Sequence, residues 1–383
     1  MREIKGFKNS WILLGDGLVK TSLLIENGLI SKIGDIEEED LIELEEDKII
    51  IPGFIDQHIH GAGGSDIIDG TKDALHNMAC HLAIEGTTAF LATTTTESFD
   101  VITKSLNAIK AYMQDNVEEG AEVIGVHLEG PFLARKYAGA QIPEYLLKPN
   151  VETFKKFEEA SGDNIKLVTV AVEEDGADEL VEYLISKGIV VSIGHSNAGY
   201  EDILKAVKKG VRCVTHTYNA QRPLRRDEIG TVGSTFLFDE LYSEAICDGS
   251  HSSIPAIRLL WKNKPKDKFI LVTDALKPKY MPAGRYKEGN EVIISNGKDV
   301  RLETGRLAGS LLRMNKAVKN VMDFVGSDFV TTVKCGTENP AKNLGVFDKM
   351  GSIKEGKLAN LAIVDKDVNV YQTIRRGKEI YKR

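Results

Sequence analysis

Apolar and polar positions along the chain follow two different rhythms. At both ends they alternate over short segments. One is TSLLIENGLISKIG (21–34), in which Asn27-Gly28 is the pair that a tight β-hairpin turn favours. The tail repeats the pattern in KLANLAIVD (357–365) and in TIRRGKEIYK (373–382), the latter folded about Arg376-Gly377. Neither end carries enough apolar residues for a core of its own. The two are expected to pair into one small β-sandwich, made of residues 1–52 and 343–383.

The middle of the chain, 53–342, has a longer period. Continuous apolar, β-branched runs recur at 51–58, 87–94, 123–128, 166–172, 189–194, 211–216, 243–247 and 269–274. Helix-like segments lie between them at 72–85, 99–114, 177–187, 200–208 and 252–262. Strands that are apolar throughout and alternate with amphipathic helices form a parallel sheet buried on both faces. Eight of them predict a closed (β/α)8 TIM-type barrel, with a doubly wound open sheet as the alternative. After the eighth strand the helix is delayed. Residues 285–304 read as a β-excursion before a helical segment at 310–325.

Composition narrows the function. With 42% hydrophobic and 28% charged residues among 383, the chain is an ordinary globular protein. A net charge of −8 argues against broad nucleic-acid binding and leaves room for a local basic pocket. Cys80, Cys213, Cys247 and Cys335 are far apart and form no CxxC pair, so they are expected to be reduced thiols. No apolar stretch is long enough to span a membrane and no signal segment is evident, which makes the cytoplasm the expected location.

The chemistry sits at the strand ends. His58, His60, His195, His216 and His251 all fall at or just beyond the C-terminal ends of predicted barrel strands. Glu129 ends the third strand and Asp274 ends the eighth. In a parallel barrel these ends open onto one face, where catalytic groups of this architecture collect. His58 and His60, two apart on a strand, point to the same side and can serve one divalent ion. An HxH pair alone says little; five histidines and a glutamate on one rim say much more. Asp274 closes the apolar run FILVTD, where it can cap the next element or, beside a metal, move a proton. His127 is assigned a supporting role, and His76 and His81 a surface or packing role on a helix.

The segments PGFIDQHIHG, HLEGPF, GHSNA, THTYNA, VTDA and LAGS occur in this order. Together they resemble the N-acetylglucosamine-6-phosphate deacetylase family of the amidohydrolase superfamily. That resemblance, which extends over nearly the whole chain, implies a metal-dependent hydrolase that removes the acetyl group from an amino-sugar phosphate. It implies one metal site from Glu129, His195 and His216, and a second from His58 and His60 with Glu129 bridging. One or two divalent ions per subunit follow, zinc first and iron, manganese or cobalt as alternatives. Asp274 would be the catalytic acid–base. His251, Asn219, Ala220, Gln141 and the turn Ala308-Gly309-Ser310 would hold the substrate. A homodimer is also implied, with neither nucleic acid nor membrane as partner.

One departure bears on the substrate. Family members carry an arginine that holds phosphate where this chain has Asp227, within RRDEIG. Arg225 and Arg226 are adjacent and are assigned that role, a solvated basic loop being the alternative. Competing readings are a deacetylase of another amino sugar, such as N-acetylgalactosamine 6-phosphate, and a catalytically silent binding protein.

Overall fold

The structure, a computed structural model, describes residues 1–38, 40–288 and 291–383. Its centre is a parallel barrel of eight strands: β1 (Phe54–Ile59), β2 (Thr87–Thr93), β3 (Glu122–Glu129), β4 (Ile165–Val170), β5 (Val190–Ile193), β6 (Cys213–Val214), β7 (Tyr242–Ala245) and β8 (Phe269–Leu271). Each strand pairs with its sequence neighbours. The seam between β8 and β1 is closed just beyond β8 by Asp274 N donating to His58 O at 2.9 Å. Thr273 Oγ1 adds a bond to Asp56 Oδ2 at 2.6 Å. The barrel is the expected one, and the open sheet is excluded.

Helices cover it where the 3.6-residue pattern predicts them, at Lys72–Ala83, Phe99–Gln114, Ala177–Ser186, Tyr200–Lys209, Ile254–Asn263 and Met314–Val325. Phe99–Gln114 shows why. Ser98 caps its first turn through the Val101 amide, and Ile102, Leu106 and Ile109 bury one stripe. Among the described residues four helices escaped the pattern, the short Phe329–Cys335 and Glu338–Asn343 among them. Val151–Ser161 has only a narrow stripe in an otherwise charged segment, Phe154 and Phe157, with Asn150 as its cap. Gly230–Leu237 is rich in Gly, Thr and Ser, poor helix formers that tertiary packing overrides.

The two chain ends meet in a second sheet. Its order is Lys378–Lys382, Val370–Arg375, Leu361–Val364, Ile49–Pro52, Gly6–Leu14, Gly17–Glu26 and Leu29–Gly34, with Ile42–Glu43 also on Gly6–Leu14. The hairpin turns are those expected: Asn27 and Gly28 take φ of 53° and 75°, Arg376 and Gly377 48° and 73°. The sheet curls until Leu29 bridges Leu358, around a core that includes Phe7, Leu23, Ile50, Leu361 and Ile374. The apolar run 51–58 is therefore shared. Its start belongs to this sheet, and after Gly53, where a Cβ would lie 2.2 Å from Thr88 Cγ2, it enters the barrel as β1.

The excursion after β8 is a four-stranded antiparallel sheet: Gly284–Glu288, Glu291–Ser295, Val300–Leu302 and Leu307–Gly309. Residues 289 and 290 of that stretch lie outside the described residues. Its last strand returns to the barrel mouth, where Ser310 N donates to Asp274 O at 2.8 Å. Among the described residues no helix is long and apolar enough to cross a membrane.

Candidate metal centre

The C-terminal ends of the strands all open onto one face, and each candidate ligand stands there. His58 lies within β1 and His60 just after it; Glu129 is the last residue of β3. His195, His216 and Asp274 come two or three residues past β5, β6 and β8. They take φ of 47°, 27° and 47°, left-handed values that ordinary residues rarely hold and that cluster at functional sites. Each turns the chain out of its strand while its side chain points into the mouth. Gly130 serves Glu129 in the same way: at φ 78°, a Cβ there would sit 2.1 Å from Thr96 Oγ1.

Two groups of ligand atoms result. In one, Glu129 Oε1 lies 3.4 Å from His195 Nε2 and 3.1 Å from His216 Nε2, and these nitrogens are 3.1 Å apart. In the other, His58 Nε2 and His60 Nε2 stand 3.3 Å apart, and Asp274 Oδ1 is 3.4 and 3.1 Å from them. Glu129 reaches this group too, through Oε1 at 3.4 Å from His58 Nε2 and Oε2 at 3.3 Å from His60 Nε2. Ligands about 2.1 Å from one tetrahedral ion stand about 3.4 Å from each other. Both spacings fit that value. Imidazole nitrogens facing each other across a carboxylate, all buried, make a donor set suited to two cations sharing Glu129.

Electrostatics agree with that reading. Burial pulls the His58 ring down, but Glu129, Asp274 and Glu244 outweigh it and raise its pKa well above the ordinary value. For His60 burial is likewise overcome, by hydrogen bonds to Asp274 and Glu129, and the ring is pushed up to about 10. Burial works to raise Glu129, yet His58, His195 and His216 hold it well below the usual carboxylate range. In the metal-free protein the His58 and His60 rings thus keep protons where a cation fits. His127 behaves differently: burial and the neighbouring His58 press its pKa well down. Its Nε2 pairs with Thr169 Oγ1 at 2.8 Å, and its ring packs edge-on to His58 at 4.6 Å. It buttresses a ligand from below.

A cavity of about 270 Å³ opens above the ligands. His60, Glu129, His195, His216 and Asp274 form part of its lining, with His251, Asn219, Ala220, Gln141 and Ala308 around them. His251 Nδ1 is held by Asp248 Oδ2 at 2.7 Å. Gln141 donates to Glu129 Oε2 at 2.9 Å and accepts from the Thr96 amide at 2.7 Å. Gly309 and Ser310 are buried outside this lining; the Ser310 hydroxyl donates to Thr273 O.

Arg225 and Arg226 are not brought to this cavity. Both are exposed, and Arg225 lies 3.6 Å from Asp227, its own neighbour on a solvated loop. The cavity has a different arginine. Arg306, on the excursion, lines it and donates to Gly139 O across the mouth.

A family model described as the amidohydrolase family matches residues 49–380. The chain belongs to the amidohydrolase family. It is 39% identical over 340 residues to an N-acetylglucosamine-6-phosphate deacetylase of Bacillus subtilis (strain 168), covering 88% of this chain and 85% of that one. It is also 31% identical to an N-acetylgalactosamine-6-phosphate deacetylase of Escherichia coli O157:H7, over 93% of each. The crystal structure of an N-acetylglucosamine-6-phosphate deacetylase from Thermotoga maritima superposes with a TM-score of 0.90 at 32% identity, over 99% and 100% of the two chains.

In this amidohydrolase some polar residues near the centre gave no signal in the sequence. Glu244 sits in the apolar run SEAIC and reads as a stray polar residue, yet it is fully buried beneath His58. Glu173, just after β4, accepts from the Ser196 hydroxyl at 2.7 Å and so steadies the turn that follows His195. Glu244, read alone, is only a polar interruption of an apolar run. Arg306 carried no signal either; it reaches the cavity only because the excursion folds back.

Proposed function

We propose that the chain is a metal-dependent N-acetylglucosamine-6-phosphate deacetylase, releasing acetate and glucosamine 6-phosphate. The observation that carries this reading is a carboxylate, Asp274, standing 3.1 Å from His60 at the floor of a cavity whose buried ligand set suits two cations. Divalent ions held there supply Lewis-acid polarisation of an amide carbonyl and water activated near neutral pH, zinc being the ion proposed. Asp274 takes up the proton of the attacking water and returns it to the departing sugar nitrogen. Burial would raise its pKa, but His58 and His60 hold it below the ordinary carboxylate value, so it starts as a base. His251, oriented by Asp248, presents its other nitrogen to the substrate, and the Asn219-Ala220 turn, with Ala220 at φ 48°, lies beside it in the wall.

The phosphate is assigned to Arg306. Its neighbours on the excursion are committed, Arg285 to Glu303 and Arg301 to Asp299. Arg306 has no acidic partner among the described residues and is the one arginine or lysine lining the cavity. A guanidinium is suited to bidentate capture of a phosphate. The exposed position of Arg225 and Arg226 favours a second reading, in which a different amino sugar is preferred. Acetate release from N-acetylglucosamine 6-phosphate, its galacto epimer and unphosphorylated N-acetylglucosamine, measured side by side, tests both. Preference for the first supports the proposal; preference for either other substrate overturns its substrate and keeps its chemistry. A dimer in solution is proposed as well, and a monomer mass by light scattering would refute it.

A further inference from the structure

Glu244 is a buried carboxylate with an unusual set of partners. It lies on β7, at 0% exposure, and among the described residues no lysine or arginine pairs with it. Its Oε2 accepts from His58 Nδ1 at 3.0 Å and from the His216 backbone amide at 3.1 Å. Its Oε1 accepts from Gln57 Nε2 at 2.6 Å, and Gln57 Oε1 in turn accepts from Asn343 Nδ2 at 3.0 Å. The Glu244 carbonyl takes the Thr217 amide at 2.8 Å. Burying a carboxylate is costly unless donors surround it. Here every donor belongs to the shell around the two ligand groups.

The consequence for His58 is chemical. A ring whose Nδ1–H is given to a carboxylate presents its Nε2 lone pair on the opposite side, where His60, Glu129 and Asp274 converge. Such an outer partner fixes tautomer and ring orientation and raises the basicity of the ligand nitrogen. None of the other three rings has a carboxylate at Nδ1 among the described residues. His195 Nδ1 meets the Tyr137 carbonyl at 2.9 Å, and the Nδ1 atoms of His60 and His216 have no hydrogen-bond partner among the described residues. The same carboxylate grips the His216 main chain where φ is 27°. One side chain therefore spans both groups, by a ligand ring on one side and a ligand backbone on the other.

We infer that Glu244 is the positioning residue that fixes the His58 tautomer and thereby makes the His58–His60 group a metal site. This rests on the two-cation reading of the centre. Glu244→Gln preserves shape but replaces one acceptor oxygen with an NH2 facing donors. Zinc affinity, by competition with a chromophoric chelator, should split. The ion at the His58–His60 group loses about 10- to 100-fold, while the ion at Glu129, His195 and His216 is little changed. Melting temperature of the metal-free variant should stay near that of the metal-free wild type, with only the zinc-induced increase reduced. A second measurement needs no variant of Glu244: in zinc-loaded wild-type protein labelled with 15N-histidine, the His58 signal, assigned with His58→Gln, should report protonated Nδ1. Unchanged zinc affinities in Glu244→Gln, or a metal-bound Nδ1 on His58, would overturn the inference. Wild-type protein that binds no zinc would overturn the metal reading itself, a distinct result.

Discussion

The two ends of the cavity are built on different principles. At the metal end every group is buried, placed by a strand terminus, and tied to at least one other. At the distal end Arg306 is brought in by the excursion, while Arg225 and Arg226, on the loop 222–227, face solvent outside the cavity. Strand ends are fixed by the barrel, so chemistry placed there is rigid. Loops are free to vary, and recognition placed there varies with them. The metal chemistry is thereby tied to the barrel, and recognition to the loops and the excursion.

Removing the metal should abolish turnover at the first end, and restoring zinc should return it; activity that survives exhaustive chelation would undo the comparison. Asp274→Asn should lower kcat by about 10²- to 10⁴-fold with ion content measured beside it. A wild-type rate would take Asp274 out of the mechanism. Metal loading should release protons, because the His60 ring, pushed up to about 10 when metal-free, must lose its proton to bind. Affinity then rises with pH, by about tenfold per unit for each proton displaced, and falls on acidification. A pH-stat during zinc addition checks the sign.

At the other end the effects are smaller and selective. Arg306→Ala should raise KM for the phosphorylated substrate by about 10- to 100-fold, the range of a lost charge-assisted hydrogen bond, and leave the unphosphorylated sugar unaffected. Replacing Arg225 and Arg226 together with alanine should change either KM by less than about twofold, as for exposed charges. A large selective effect from that pair, and none from Arg306, would reverse the assignment.

Legibility in the sequence followed the same division. The rim histidines could be grouped because each ends an apolar run, and a parallel barrel sends all such ends to one face. Helices with a full apolar stripe were equally plain. Val151–Ser161 was not, since two phenylalanines in a charged segment make a weak pattern. Glu244 was invisible for another reason: a lone polar residue in an apolar strand acquires meaning only when its neighbours across the barrel, Gln57 and His58, are known.

By itself the sequence determined the alternation of strands and helices, the terminal hairpin turns and which residue types end each strand. These depend on local backbone preference and on the period of apolar residues, both written along the chain. Only the tertiary structure decided that Glu129 reaches both histidine pairs, that Glu244 lies beneath His58, and that Arg306 rather than Arg225 reaches the cavity. Those are distances between residues far apart in sequence, set by barrel closure and by the fold-back of the excursion. No local pattern encodes them.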